Sequence, residues 1–330
     1  MRIQNLYSWF NIQPKDIKVG FLCPYIKMTS ITFDRLINNK IFTRLTWLRF
    51  IGFEFWMVGF TPFFIGYVVS SRELSSFDLF YGFLIIALLT SSTFVLNHIC
   101  DIDLDKKNPR KEFSLLVRGT ITLRDSWILF WLLQVSCVIL SLRFNMEFFY
   151  CMLGLTAISF LYNVEPFRFK SRPGLDLLCN GISLGFLIPL SAWSIEQPLA
   201  EFPRLFFLST VCYLLALYCP TMAIDVEFDR NFGVETFATK FGAEFTMKLS
   251  WFFTICGASL LLFSGYFEIF PWNYDLFIYT GWLLILEILV HYIYLPISPQ
   301  PTYNTVAKGS IILATFEALA TLIFLIIFLR

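Results

Sequence analysis

The stretch NHICDIDLDKKNPRK, residues 97–111, starts inside an apolar run and then sets three aspartates and four basic residues within eleven positions. Residues 77–100 ahead of it are apolar over a length that meets the requirement of about 20 residues for crossing a bilayer as a helix. A dense charge cluster directly after such a run reads as the end of a transmembrane helix at the water boundary. It decides the fold class, because it sets the solvent of the chain as lipid on one side and water on the other.

The whole sequence agrees with this reading. Of its 330 residues 57% are hydrophobic, 40 are Phe and only 15% are charged, against roughly 45–50% apolar residues in ordinary soluble domains. A net charge of +1 excludes a broad electrostatic partner such as nucleic acid, and nothing in the chain points to an obligatory protein partner. The eight cysteines include no CxxC pair and fall mostly in apolar runs, so neither a disulfide framework nor a zinc site is expected. Nine spans follow from the length rule, at about 47–70, 77–100, 127–144, 148–163, 175–194, 204–224, 249–267, 276–295 and 309–329. With the N-terminus inside, 21 of the 25 Lys and Arg residues fall on the cytoplasmic side and only Arg72, Arg143, Arg204 and Arg330 outside, the asymmetry that cytoplasmic loops show. The expectation is an all-α integral membrane protein of nine transmembrane helices around a central cavity, N-terminus cytoplasmic. Residues 1–45 form a cytoplasmic amphipathic lead-in, with no cleaved signal peptide expected, and residues 46–330 form one multi-pass membrane domain.

Asn97, Asp101 and Asp105 are spaced i, i+4, i+8. On a helix each step advances about 40° and about 6 Å, so the three line one face while Asp103 points elsewhere. Asp225 and Asp229 repeat the i, i+4 spacing at the inner end of the sixth span. Two carboxylate pairs at helix ends on the same side of the membrane offer hard oxygen ligands of the kind that suits Mg²⁺ sharing its shell with phosphate oxygens. Asn97 lies a turn inside the apolar run, where a polar group is costly unless used. Basic residues follow each acidic cluster: Arg110, Lys111 and Arg118 after the first, Arg230 and Lys240 after the second. The loop YNVEPFRFKSRPGLD, residues 162–176, adds Arg168, Lys170 and Arg172. Singly these cations satisfy the positive-inside bias; as a set they fit a metal-bridged polyanion whose free oxygens need neutralising. Tyr162 has two readings, an interfacial anchor or an aromatic face for a developing carbocation. His98 and His291 are the two histidines, and His291 reads as a packed core residue.

Asn97-x3-Asp101-x3-Asp105, Asp225-x3-Asp229 followed by GVETFATKFG (233–242), and the loop from Tyr162 to Lys170 resemble, in this order, the two aspartate-rich motifs and the third cytoplasmic signature of the UbiA superfamily of membrane prenyltransferases. The resemblance covers about residue 45 to the end. It implies that Asn97, Asp101, Asp105, Asp225 and Asp229 hold Mg²⁺ and the diphosphate of an allylic prenyl donor. Arg110, Lys111, Arg168, Lys170, Arg230 and Lys240 are then, with Asn97, the substrate contacts, and Asp101, Asp105, Asp225, Asp229 and Tyr162 form the catalytic set. Many members carry Asp directly after the motif Asn, where this chain has His98. The strings NPRK and DVEFDR are similar to the microbial branch that includes lycopene elongases.

The activity so implied is Mg²⁺-dependent transfer of a prenyl group to a hydrophobic acceptor, an aromatic quinone precursor, a carotenoid or a lipid, with release of pyrophosphate. The partners are then a prenyl diphosphate, the acceptor and the bilayer, with the site facing the cytoplasm. Two other classes stay open: a cation-coupled transporter, for which Glu54, Glu287 and Glu317 within the spans are the relevant acids, and a relative that binds or cyclises an isoprenoid.

Overall fold

A computed structural model describes residues 46–70, 75–108, 111, 114–267, 274–297 and scattered positions from 302 to 319. The chain divides into two compact units, Met1–Leu48 and Arg49–Arg330. The expected lead-in, residues 1–45, and most of the ninth span lie outside the described residues. In the second unit the described residues form helices α1 (Trp56–Ser70), α2 (Ser76–Cys100), α3 (Leu123–Ser141), α4 (Met146–Asn163), α5 (Leu175–Trp193), α6 (Arg204–Asn231), α7 (Ala243–Phe267) and α8 (Tyr274–Tyr294), and no strand. Five of them, α2, α3, α5, α6 and the Ala243–Ser264 part of α7, are long and apolar enough to cross a membrane.

The helix starts are written in the sequence. Ser75 caps α2 by accepting from the Asp78 amide at 3.2 Å, and Thr122 caps α3 through the Asp125 amide at 3.1 Å. Asn145 caps α4 through the Phe148 amide at 2.8 Å. Each places a polar oxygen on amides that the first turn leaves without partners.

Two kinds of contact hold the helices together. Small residues permit close backbone approach: a Cβ on Gly66 of α1 would stand 2.4 Å from the Pro189 carbonyl oxygen of α5, and one on Gly185 of α5 would stand 2.5 Å from Val211 Cα of α6. Polar side chains bridge the others. Ser92 of α2 donates to Gln134 of α3 at 2.8 Å, and Gln134 donates to Thr156 of α4 at 2.6 Å. The main apolar cluster joins Phe63, Phe64, Ile85, Ile86, Phe148, Met152, Ile188, Phe206 and Phe207 from five helices. Two smaller clusters lie at the other end of α2 and α6. One packs Val95, Leu96 and Ile99 against Leu115, Leu116 and Phe130; the other packs Leu177 against Leu215, Cys219, Met222, Val226 and Ala238. These support the two acidic segments.

Candidate functional site

The first acidic segment is not the single helical face that its spacing predicts. Helix α2 stops at Cys100; Asp101 takes φ −100° and ψ 6°, and a separate turn runs from Ile102 to Asp105. The contacts give the reason. Both Asp101 oxygens are drawn to the loop between α4 and α5: Arg168 Nη2 donates to Oδ1 at 2.7 Å and Lys170 Nζ to Oδ2 at 2.7 Å. Lys170 also donates to Asn97 Oδ1 at 2.8 Å and to Asn163 Oδ1 at 3.0 Å, joining the first and second residues of the motif through one ammonium. Asp105 is buried and turns to His98, whose Nδ1 lies 3.5 Å from Oδ2. His98 stacks on Phe50 with ring centroids 5.1 Å apart. So His98, off the Asn97 face as expected, is the neighbour of the third motif residue. Asp103 does point away: its side chain is 91% exposed and lies 3.8 Å from Lys106 Nζ.

Arg168 reaches Asp101 from a left-handed backbone conformation, φ 36°, and donates also to the Cys100 carbonyl at 3.3 Å and to Ser171 Oγ at 3.2 Å. A bulky residue holds that conformation only where its surroundings impose it; here three acceptors fix the guanidinium. The side chains of Lys170, Arg168 and Asp101 are 12%, 16% and 16% exposed. Burial holds the Lys170 ammonium below its ordinary value of 10.5, while the adjacent Asp101 carboxylate pulls the other way.

The second acidic segment keeps its helix. With 28 residues, α6 is roughly 42 Å long at 1.5 Å per residue, which exceeds the roughly 30 Å apolar core of a bilayer. Its last turns, with Asp225 and Asp229, therefore extend past the apolar length. Asp229 lies within reach of the Thr236 side chain and of the negative charges of Asp225, Asp101 and Asp176. The loops after α2 and α6 meet, with Lys107 Nζ 6.0 Å from the Phe232 ring centroid. The two acidic segments, far apart in sequence, are thus brought to one place. Like charges gathered in this way are costly unless a cation lies among them.

Among the described residues no group of three or more His, Cys, Asp and Glu side chains forms a ready metal cage. A hard cation that takes one or two carboxylates and completes its shell with water and phosphate oxygens needs none. The oxygen donors Asn97, Asp101, Asp225 and Asp229 fit such an ion, and Asp105, turned to His98, stands apart from them.

The expected basic set divides. Arg168 and Lys170 are at the site. Arg230 is exposed and donates to the Thr239 carbonyl at 3.2 Å, and Lys240 is exposed with Nζ 5.7 Å from the Phe241 ring centroid, so both turn toward their own loop. Lys111 lies half-buried on the loop after the first motif. Arg110 lies outside the described residues, as do Glu317 and the side chain of Glu54. Tyr162 is part of a polar chain: its hydroxyl is 2.8 Å from that of Tyr218 and accepts from Asn180 Nδ2 at 3.3 Å. His291 is fully buried, with Nε2 2.9 Å from Ser250 Oγ, as a packed core histidine should be.

Sequence reasoning passed over Asn163, Tyr218 and Asp176. Asn163 lies one residue after Tyr162, and Asp176 is the final residue of the basic loop. Their signal was their place at the ends of α4 and α5, on the same boundary as the acids. Tyr218 lies within an apolar run and carried no such signal.

A model of the UbiA prenyltransferase family matches residues 59–328. A 2-acylphloroglucinol 4-prenyltransferase of Humulus lupulus is 30% identical over 180 residues, 51% of this chain and 41% of that protein. A 4-hydroxybenzoate octaprenyltransferase of Francisella tularensis subsp. novicida is 26% identical over 192 residues, 57% of this chain and 63% of that protein. The chain thus spans about half the length of the curated relatives it matches. In fold it is similar to a UbiA homolog from Archaeoglobus fulgidus bound to GPP and Mg²⁺, with a TM-score of 0.71, 21% identity, and coverage of 83% of this chain and 98% of that one.

Proposed function

The chain belongs to the UbiA prenyltransferase family, and on that premise we propose that it transfers a prenyl group from an allylic prenyl diphosphate to a hydrophobic, electron-rich acceptor at the cytoplasmic face of a membrane. The observation that carries the reading is the meeting of the loops after the two acidic segments, with Lys107 beside Phe232, next to a third loop whose Arg168 and Lys170 hold Asp101. The solved relative's GPP and Mg²⁺ supply the donor and metal classes. The relatives named for phenolic substrates favour an aromatic acceptor over the carotenoid of the lycopene-elongase branch.

Asn97, Asp101, Asp225 and Asp229 would hold Mg²⁺, and Asp105 stays with His98. Mg²⁺, when bound, supplies Lewis-acid withdrawal of charge from the diphosphate. Lys170 and Arg168 bind diphosphate oxygens as point and forked donors, and Arg110, Lys111, Arg230 and Lys240 stand on the two loops that cover it. The bond from the allylic carbon to the diphosphate oxygen breaks, its electron pair leaving with pyrophosphate. The acceptor's π-electrons form the new carbon–carbon bond, and the acceptor loses the proton from the substituted carbon. Tyr162 and Tyr218 present aromatic faces to the developing allylic cation. The loops after α2, α4 and α6 exclude the water that would otherwise capture it. The architecture in this reading is nine spans with the N-terminus inside, the ninth supplied by residues 309–329, around a cavity that takes the isoprenoid tail.

Purified protein in lipid nanodiscs, given geranylgeranyl diphosphate, Mg²⁺ and a panel of phenolic acceptors, should release pyrophosphate only when donor and acceptor are both present, and chelation should abolish the release. If no acceptor is prenylated while proteoliposomes carry a cation flux, the transporter reading replaces this one.

A further inference from the structure

Resting on the prenyltransferase reading, we propose that Asp176 is a positioning residue, a latch that fixes the loop after α6 against the start of α5 and so sets the second pair of acids in register with Lys170 and Arg168. Asp176 is fully buried, and its carboxylate accepts from three backbone amides. Oδ1 accepts from Gly174 N at 2.8 Å and Leu177 N at 2.9 Å. That much is the ordinary work of an acid in a first helical turn. Oδ2 does something else. It accepts from Phe237 N at 2.7 Å, 61 residues further along the chain.

The bond lies between two parts of the site. On one side Asp176 ends the loop whose Arg168 and Lys170 hold Asp101. On the other, Phe237 is the first residue of the short helix Phe237–Phe241, capped by Thr236, and the Thr236 side chain lies close enough to Asp229 to act on its carboxylate. The same residue continues inward: its carbonyl accepts from Asn180 Nδ2 at 2.8 Å, and Asn180 reaches the Tyr162 hydroxyl. A single buried residue therefore ties the cationic loop to the loop after the second acidic segment through its carboxylate, and to the tyrosine pair through its main-chain carbonyl. A charge-assisted bond to an amide in a buried setting is strong enough to hold a loop.

The geometry supplies a clean way to cut the latch. Phe237 is the first helical position, where proline is favoured because that amide has no intrahelical acceptor. Thr236 is already extended at φ −93° and ψ 169°, as a residue before proline must be. Phe237→Pro removes the one donor and leaves the local helix intact; Phe237→Ala removes the ring and keeps the donor; Asp176→Asn attacks the bond from the other end. Hydrogen exchange of the full-length protein in nanodiscs, without substrate, reads the loop directly. Peptides covering 232–242 should exchange at least about 10-fold faster in Phe237→Pro and in Asp176→Asn than in wild type or Phe237→Ala, with α6 protection up to residue 226 unchanged. In the transfer assay KM for the prenyl diphosphate should rise roughly 10-fold with kcat within about threefold, the pattern of lost uniform binding, and the double variant should be no worse than either single one.

Unchanged loop exchange in Phe237→Pro would overturn the latch, as would a lowered melting temperature with an unaltered KM, the mark of a merely structural acid. Because the exchange measurement needs no turnover, a wild type inactive on every acceptor would overturn the prenyltransferase reading and leave the latch to be judged by exchange alone.

Discussion

The two acidic segments carry the same i, i+4 spacing, yet the fold treats them differently. At the end of α2 the helix breaks at Asp101, and that carboxylate is enclosed by Arg168 and Lys170 at 2.7 Å each. At the end of α6 the helix runs on through Asn231, and Asp229 lies near the neutral Thr236 and in the field of three other carboxylates. One half of the site is thus enclosed by two cations of the third loop, and in the other Asp229 stands among like charges. The lesson is that an echo in sequence fixes which atoms are available at two places, and the third loop decides how each is used.

The strongest way to break this contrast is to remove one carboxylate from each half. Asp101→Ala and Asp229→Ala should both lower pyrophosphate release by roughly 10²-fold or more, the scale of a misplaced reacting group. Their stabilities should part. Asp101→Ala strands two buried cations and should cost about 3 kcal/mol in detergent unfolding, whereas Asp229→Ala relieves like-charge repulsion and should leave the melting temperature unchanged or raised. Equal losses would mean that the halves are alike after all.

His98→Asp restores the acid common elsewhere in the family. It places a second carboxylate beside buried Asp105 and should lower stability by about 1–3 kcal/mol, with turnover retained below the melting temperature. A stabilised variant would show that Asp105 is already compensated by a cation.

Lys170 gives a pH test of the first half. Burial holds its folded value below the ordinary 10.5, so between the two values the unfolded chain binds more protons and stability rises with pH. The melting-temperature gap between wild type and Lys170→Met should move in favour of wild type as the pH is raised toward 10.5. Movement the other way would mean that Asp101, not burial, dominates the ammonium. The smallest effect belongs to Asp103→Ala, which removes an exposed charge loosely placed near Lys106 and should change neither melting temperature nor turnover measurably.

Much of the fold was legible because lipid imposes a coarse rule. Apolar length alone located α2 to α5 and α8 to within about four residues, while α1 begins at Trp56 rather than about 47, α6 runs on to Asn231 rather than about 224 and α7 begins at Ala243 rather than about 249. The Ser75, Thr122 and Asn145 caps stand where a polar residue precedes an apolar run. Of the expected site residues, Asn97, Asp101, Arg168 and Lys170 touch one another. Arg230 and Lys240 share that side and yet turn to their own loop, since parity of spans says which face a residue reaches and nothing about which way its side chain turns.

The sequence by itself determined that this chain is helical and carries helices apolar enough to cross a membrane, because these depend on composition and on the short repeat of a helix. Only the tertiary structure decided that Asp101 belongs to Arg168 and Lys170, that Asp105 belongs to His98, and that Asp176 is bound to an amide 61 residues away. Those pairings depend on loops meeting across the bundle, where a bond of 2.7 Å rests on the relative placement of helices that no local spacing encodes.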